Sequence, residues 1–236
     1  MPHRKIKRAH WELLAVSSLA LLTTLVFWST DLDLRLAELF YRPESFGDVW
    51  PFQHWWPWQL LYDYAFPFTV WSGLIALAVY VLSHFNAYTQ RFRRRALYIL
   101  LVIALGPGLV VNLVVKDHWG RPRPVHVTQF GGEHTYVPPG KLGHTPDKSF
   151  VCGHCSVGYT FFVLYFLSQN HKLVYFLLTL VLGWTLGFTR MTSGGHFLSD
   201  ILWSGYLVFL VAFALYYGWF IRVKPVAKST AKLGDT

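Results

Sequence analysis

The sequence predicts an all-α integral membrane protein, a bundle of six transmembrane helices whose polar loops face outward. Hydrophobic residues occupy 53% of the 236 positions and charged residues only 14%, which is more apolar surface than a soluble domain of this size can bury. The 11 Trp, 13 Tyr and 19 Phe residues suit the two membrane–water interfaces. Apolar runs of membrane-spanning length also recur along the chain.

Six apolar runs are predicted to cross the bilayer, each near the roughly 20 residues that a hydrocarbon core requires. They cover residues 13–28, 64–85, 96–115, 152–167, 173–188 and 197–221, and the fourth and fifth lie near the short limit. The first follows a basic stretch, as in a signal peptide, but Trp28-Ser-Thr-Asp31 offers no small-x-small cleavage site, so we expect an uncleaved span. Gly106-Pro107-Gly108 should kink the third span in its outer half.

The net charge of +9 follows from this topology. Six spans put both termini on one side, and 13 of the 21 Lys and Arg residues lie in the termini and loops of that side. Because positive residues mark the cytoplasmic face, both termini should be cytoplasmic, and nucleic acid is not an expected partner. The acidic segment 31–63, the loop 116–149 and the turn 189–200 then lie together outside. We expect the tryptophans of 31–63 on the membrane surface and a function for the long loop.

The turn 189–200 carries a candidate catalytic pair. His196 and Asp200 are four residues apart at the start of the sixth run, which places them on one face of a helix. The carboxylate can accept a proton from one imidazole nitrogen, which fixes the tautomer and leaves the other nitrogen free as a nucleophile or base. Arg190 can fold back across two glycines to hold an anion beside that nitrogen. A polar loop with a surface His/Asp pair is the plainer alternative.

Two other outward segments supply groups that bind anions. Lys116 and Arg123 lie at the mouth of the third span, and prolines stiffen the chain around Arg123. Cys152, Gly153 and His154 begin the fourth span, where a glycine lets backbone N–H groups approach an anion at a helix N-terminus. Three cations on the side where the topology rule disfavours them suit the oxygens of a phosphate better than they suit surface decoration.

These residues form three blocks that resemble the signatures of the type-2 phosphatidic acid phosphatase (PAP2, acid-phosphatase-like) family. The first signature is Lys, six residues and Arg-Pro; the second is Pro-Ser-Gly-His; the third is Ser-Arg, five residues, His, three residues and Asp. They match Lys116…Arg123-Pro124, Val151-Cys152-Gly153-His154 and Thr189-Arg190…His196…Asp200 in order and spacing. Within the family, these blocks are similar to bacterial lipid A 4'-phosphatases.

The resemblance implies a lipid phosphatase that needs no metal and no cofactor, a phosphoric monoester hydrolase acting on a lipid A 4'-phosphate through a phosphohistidine. His196 would attack phosphorus, Asp200 would orient it, and His154 would protonate the leaving oxygen and later activate water. The phosphate-binding residues would be Lys116, Arg123, Arg190, Cys152 and Gly153. Because Cys152 replaces a hydroxyl donor by a weak thiol donor, we expect altered binding rather than inactivity.

The resemblance also implies a multi-pass protein of the bacterial inner membrane, with active-site loops facing the periplasm. Its partners would be a phosphorylated lipid substrate and the membrane lipids. We expect a single six-span domain over residues 1–225 and a disordered, basic cytoplasmic tail over residues 226–236. Oligomeric state leaves no mark in the sequence.

Several alternatives stay open at this level. The enzyme could act on undecaprenyl diphosphate or phosphatidylglycerophosphate, or pass its phosphoryl group to another lipid. An anion transporter or channel would place polar residues throughout the spans, whereas here they gather at one rim. A lipid-binding scaffold would explain the cations but not a His/Asp pair. Cys152 and Cys155 form a C-x-x-C that allows a disulfide, and no second pair exists for zinc.

Overall fold

The structure, a computed structural model that describes residues 3–222, is helical as predicted. No strand occurs within that range, where an isolated bridge pairs Val127 with His134. The α-helices are α1 (His3–Ser29), α2 (Leu32–Glu38), α3 (Trp56–Leu82), α4 (Ala87–Gln90), α5 (Arg93–Ile103), α6 (Gly153–Tyr159), α7 (Phe162–Leu167), α8 (Lys172–Thr192) and α9 (Leu198–Leu215). The predicted disorder of the tail 226–236 concerns residues outside the described range, and the single-domain assignment stays a prediction.

Five of the six predicted spans are, within residues 3–222, helices long and apolar enough to cross a membrane. They run over Lys5–Ser29, Trp56–Leu82, Arg93–Lys116, Lys172–Thr192 and Leu198–Phe220. The fourth predicted span is a shorter apolar helix, Gly153–Leu167, divided into α6 and α7. It falls short of the roughly 20 residues of a full crossing. The helical membrane bundle is therefore confirmed, while the sixth crossing stays a prediction.

The third span changes its winding where the sequence predicts an interruption. Helix α5 ends at Ile103, and a π-helix continues from Ala104 to Lys116 with Pro107 inside it. A proline has no N–H to donate and clashes with the preceding turn, so the regular i to i−4 ladder cannot continue through it. The side-chain amide of Asn112 donates to the Pro107 carbonyl at 2.7 Å. The wider winding carries the chain to Lys116 at the outer end.

Helix α9 lies at the centre of the bundle. In its span, 50% of the most apolar stretch is buried, against 28% or less in the other long helices. Neighbouring helices are joined to it by polar side chains as well as by packing: the Tyr98 hydroxyl donates to the Ala212 carbonyl at 3.0 Å, and the Trp203 indole donates to Thr24 at 3.1 Å. Helix α9, which carries Asp200 in its first turn, is therefore held by neighbouring helices along its length.

A small apolar cluster caps the end of the bundle that is predicted to face outward. It consists of Ala37, Trp50, Val127, Phe130 and Phe197, all nearly inaccessible to solvent. The expectation that the tryptophans of segment 31–63 lie on the surface is wrong for Trp50, because the segment folds back over the loop 116–149 and buries this ring. The cluster joins that loop to Phe197, which directly follows His196 in the chain.

Candidate active site

The three predicted blocks meet at one end of the bundle, the end predicted to face outward. The Cys152 amide donates to the Asp200 carbonyl at 3.2 Å, which joins the second block to the third. The Val125 amide donates to the Gly194 carbonyl at 3.1 Å, which joins the loop beside Arg123 to the same turn. The chain thus brings together segments that lie roughly fifty to seventy residues apart in the sequence.

Gly153 packs directly against the end of the third span. A Cβ at this position would lie 2.5 Å from the Asn112 side-chain oxygen and 3.1 Å from the Lys116 ammonium nitrogen. No other residue type fits there without displacing these groups. The glycine therefore lets Lys116 approach the backbone that precedes His154.

His196 lies before helix α9 rather than on it. Helix α8 continues to Thr192 and α9 begins at Leu198. Asp200 therefore lies on a helix as predicted, whereas the prediction that His196 shares its helix face is wrong. The reason is the pair of glycines: Gly194 adopts a left-handed φ of +66°, which ends α8 sharply. The two side chains still face each other, with His196 Nδ1 3.5 Å from Asp200 Oδ2. His196 is 1% exposed and Asp200 is fully buried.

Asp200 is fixed by donors on both of its oxygens. Ser149 donates to Oδ2 at 2.7 Å, and the Phe197 amide donates to the same oxygen at 2.8 Å, as expected for an acidic residue in the first turn of a helix. The guanidinium of Arg121 donates to Oδ1. These bonds orient the carboxylate toward His196 and favour its ionised form.

Arg121 is a buried cation that the sequence analysis did not identify. Its side chain is 0% exposed and bridges two carboxylates, Asp200 and Asp33, the latter at 2.8 Å. Burial by itself would lower the pKa of Arg121, but the two aspartates outweigh it and raise the pKa, so the guanidinium stays charged. Asp33 belongs to α2 and also accepts from the Ser199 amide at 3.0 Å and the Tyr136 hydroxyl at 3.0 Å.

The three cations predicted to bind phosphate have no acidic partner within the part of the chain that the structure describes. Lys116, Arg123 and Arg190 form no ion pair there, although they lie near enough to repel one another. The Nε atoms of Arg123 and Arg190 are buried and make no hydrogen bond to residues 3–222. Uncompensated positive groups that converge in this way are suited to an anion with several oxygens.

Tyr62 of α3 is a further neighbour that the sequence analysis missed. Its ring stacks on His154, with centroids 4.1 Å apart and planes 18° apart, and the Arg190 guanidinium carbon lies 4.7 Å from its centroid. Tyr62 therefore lies in contact with the second and third blocks at once. Nothing marks it in the sequence, since it is one aromatic residue among many near a span end.

Cys152 and Cys155 are both free and buried, so the disulfide allowed by their spacing is not formed. Cys152 precedes α6 and its sulfur accepts from the Cys155 amide at 3.4 Å. The same sulfur lies next to the His196 ring. A serine hydroxyl could make the same backbone contact, which is why this substitution is compatible with the geometry of the block.

A family model identifies the fold and the chemistry together. The description "PAP2 superfamily" matches residues 95–224, more than half of the chain and all three blocks. The chain belongs to the PAP2 superfamily. No solved structure matches it.

Curated relatives agree with this PAP2 assignment. A protein named lipid A 4'-phosphatase from Francisella tularensis subsp. novicida is 35% identical over 79% of this chain and 85% of its own length. One of the same name from Rhizobium etli is 36% identical over 55% of this chain and 50% of its own. A lipid A 1-phosphatase from Rhizobium etli is 32% identical over 48% of this chain and 49% of its own.

The predicted PAP2 phosphatase, a phosphoric monoester hydrolase, is therefore confirmed. The long apolar helices, together with these bacterial relatives, make it a multi-pass protein of the bacterial inner membrane. The individual roles of the site residues stay predictions.

Proposed function

We propose that this PAP2 protein removes the 4'-phosphate of lipid A at the periplasmic face of the inner membrane, through a phosphohistidine at His196. The observation that carries the proposal is the buried imidazole beside Asp200, in a site whose three cations form no ion pair within residues 3–222. The choice of lipid A is supported by the relative that matches 79% of this chain and bears the name lipid A 4'-phosphatase.

In the first step, His196 acts as the nucleophile. Because Nδ1 faces Asp200, the lone pair on Nε2 attacks phosphorus, and the bond from phosphorus to the sugar oxygen breaks. His154 donates a proton to that leaving oxygen, so the product leaves as a neutral alcohol. Lys116, Arg123 and Arg190 neutralise the charge on the three equatorial oxygens as the transition state forms.

In the second step, water releases the phosphate. His154, now unprotonated, takes a proton from a water molecule that attacks phosphorus, and the bond from phosphorus to His196 breaks. The Asp200 carboxylate stabilises the positive charge that His196 carries while it is phosphorylated. Inorganic phosphate departs, and both histidines return to their initial states.

The proposal is tested with purified protein in detergent and lipid A as substrate. We expect release of phosphate in the presence of a chelator, with mass spectrometry showing the loss at the 4' position. His196→Ala should abolish it, whereas His118→Ala, which removes an exposed histidine of the same outer loop, should not.

Other outcomes would redirect the assignment. Loss of phosphate at the 1 position would favour the activity named in the more distant relatives. Release from an isoprenoid diphosphate or phosphatidylglycerophosphate in preference to lipid A would replace the substrate. Transfer of labelled phosphate to a second lipid would make the protein a phosphotransferase.

A further inference from the structure

A polar cavity of about 450 Å³ adjoins the site on the side of Arg190. It lies between the start of α3 and the end of α8, and Tyr62 and Arg190 form part of its wall. The same two residues contact each other, and Tyr62 stacks on His154. A group attached to a phosphate held by Arg190 would therefore reach this cavity first.

Three more hydrogen-bonding side chains line the cavity. Gln53, Gln59 and Asp63 all contribute to it, and all three are exposed. Between residues 3 and 222, the side chains of Gln53 and Asp63 make no hydrogen bond, and the Gln59 amide makes only a long contact of 3.4 Å with His54. Exposed amide and carboxylate groups can exchange their bound water for the polar groups of a ligand.

Aromatic residues complete the lining. Trp58 and Tyr62 both line the cavity; the Tyr62 ring already stacks on His154, and the Trp58 indole donates to Thr192 at 2.8 Å. A ring that is already fixed loses little conformational entropy when a ligand binds to it. The acidic Asp63 disfavours a second phosphate in the cavity, so an uncharged polar group suits it better.

We infer that this cavity binds the sugar ring that carries the scissile phosphate and so selects glycolipid phosphates over lipid phosphates without a sugar. The inference rests on the proposed function and deepens it, because it assigns the recognition of the substrate's head group to Gln59, Asp63 and Trp58. These residues lie in the first two turns of α3, outside the three blocks that carry the chemistry.

The kinetic test compares lipid A with phosphatidic acid, which has the phosphate but no sugar. Gln59→Leu and Asp63→Leu should each raise the KM for lipid A about tenfold, the effect of one lost hydrogen bond, and leave the KM for phosphatidic acid within about twofold. Gln129→Leu, the same change at an exposed outer position outside the cavity, should alter neither. Equal changes for the two substrates, or no change for either, would overturn the inference.

A binding measurement separates this inference from the proposed function. Lipid A stripped of both phosphates should quench the fluorescence of Trp58, measured as the difference between wild type and Trp58→Phe, and Gln59→Leu should weaken the binding. If wild-type protein binds this phosphate-free glycolipid but releases no phosphate from lipid A, the proposed function fails and the sugar site stands. If it releases phosphate but does not bind the phosphate-free glycolipid, the sugar site is wrong.

Discussion

At the scale of single residues, Asp200 contacts four groups through its two oxygens. Oδ1 accepts from Arg121, while Oδ2 accepts from Ser149 and the Phe197 amide and faces His196. The three donors fix the direction of the carboxylate. His196 Nδ1 lies 3.5 Å from Oδ2 and makes no hydrogen bond to residues 3–222, so we propose that Asp200 acts on the imidazole through its negative charge.

The pH dependence of the reaction tests this role of Asp200. Burial disfavours the charged form of His196, but the adjacent Cys152 sulfur and the Asp200 carboxylate outweigh it, so the pKa of His196 is raised. Because only the neutral ring can attack phosphorus, kcat/KM should fall as the pH drops through this raised pKa. Asp200→Asn removes the negative charge and should move the acidic limb to lower pH, with kcat reduced about 10²- to 10⁴-fold.

The measurement is a profile of kcat/KM against pH for both proteins with one substrate, so that the substrate's own titration cancels in the comparison. An acidic limb at the same pH in both proteins would mean that the Asp200 charge does not act on His196.

The buried Arg121 makes a prediction about stability. Arg121→Met would leave Asp33 and Asp200 without their shared cation, and an uncompensated buried charge costs about 3–5 kcal/mol. Arg35→Met is the matched control, because Arg35 pairs with Asp31 at 2.7 Å while both side chains are more than half exposed, and such surface pairs contribute little to stability. Thermal unfolding in detergent should show a large loss for Arg121→Met and little for Arg35→Met. Equal losses would rule out the bridging role.

The residues that the sequence could and could not predict differ in a physical respect. Lys116, His154 and His196 have a fixed spacing to glycines and prolines, so a short local sequence pattern is enough to identify them. Arg121 and Asp33 find each other across 88 positions, and only the folded chain brings an acidic residue of a surface helix beneath the site. In the sequence, Arg121 follows a glycine and Asp33 lies between two leucines. Many charged residues on protein surfaces have such neighbours, so neither position stands out.

At the scale of elements, the distance between α6 and α8 determines how His154 and Arg190 are placed. A Cβ on Gly158 of α6 would lie 2.5 Å from the Gly183 backbone nitrogen of α8, so the two helices touch through their backbones. Apolar length predicted that two helices lie here, but hydropathy contains no information on how closely they approach. In the same way, Gly106-Pro107-Gly108 predicted an interruption of the third span but gave no indication that a π-helix would form there.

The substitution Gly158→Ala should push α6 away from α8. Overpacking of this kind costs about 1–3 kcal/mol, and it should also lower kcat because His154 moves relative to Arg190. Gly218→Ala is the control, since a Cβ at Gly218 meets nothing within 4 Å. The test measures kcat and thermal stability for both variants. A Gly158→Ala protein with unchanged kcat would show that this backbone contact does not position the site.

At the scale of the whole molecule, the sequence places most positive charge on one predicted side of the membrane and the candidate site on the other. Of the 21 Lys and Arg residues, 13 lie in the termini and loops of the predicted inner side, whereas Lys116, Arg123 and Arg190 belong to the predicted outer segments, where the topology rule disfavours positive charge. An anionic substrate would account for cations in those segments, and membrane insertion would not. The charge distribution therefore predicts which residues orient the protein and which residues bind.

This arrangement predicts the orientation in the membrane, which cysteine labelling can measure. Both native cysteines are buried and free, so the background of labelling should be low. Glu44 and Gln90 are both exposed; Glu44 precedes α3, and Gln90 lies in α4, which follows it, so Glu44→Cys and Gln90→Cys form a matched pair on either side of one span. In spheroplasts, a membrane-impermeant maleimide should label Glu44→Cys at once and Gln90→Cys only after the membrane is permeabilised. The reverse pattern would put the site in the cytoplasm, where the lipid A of the outer leaflet of the inner membrane cannot reach it.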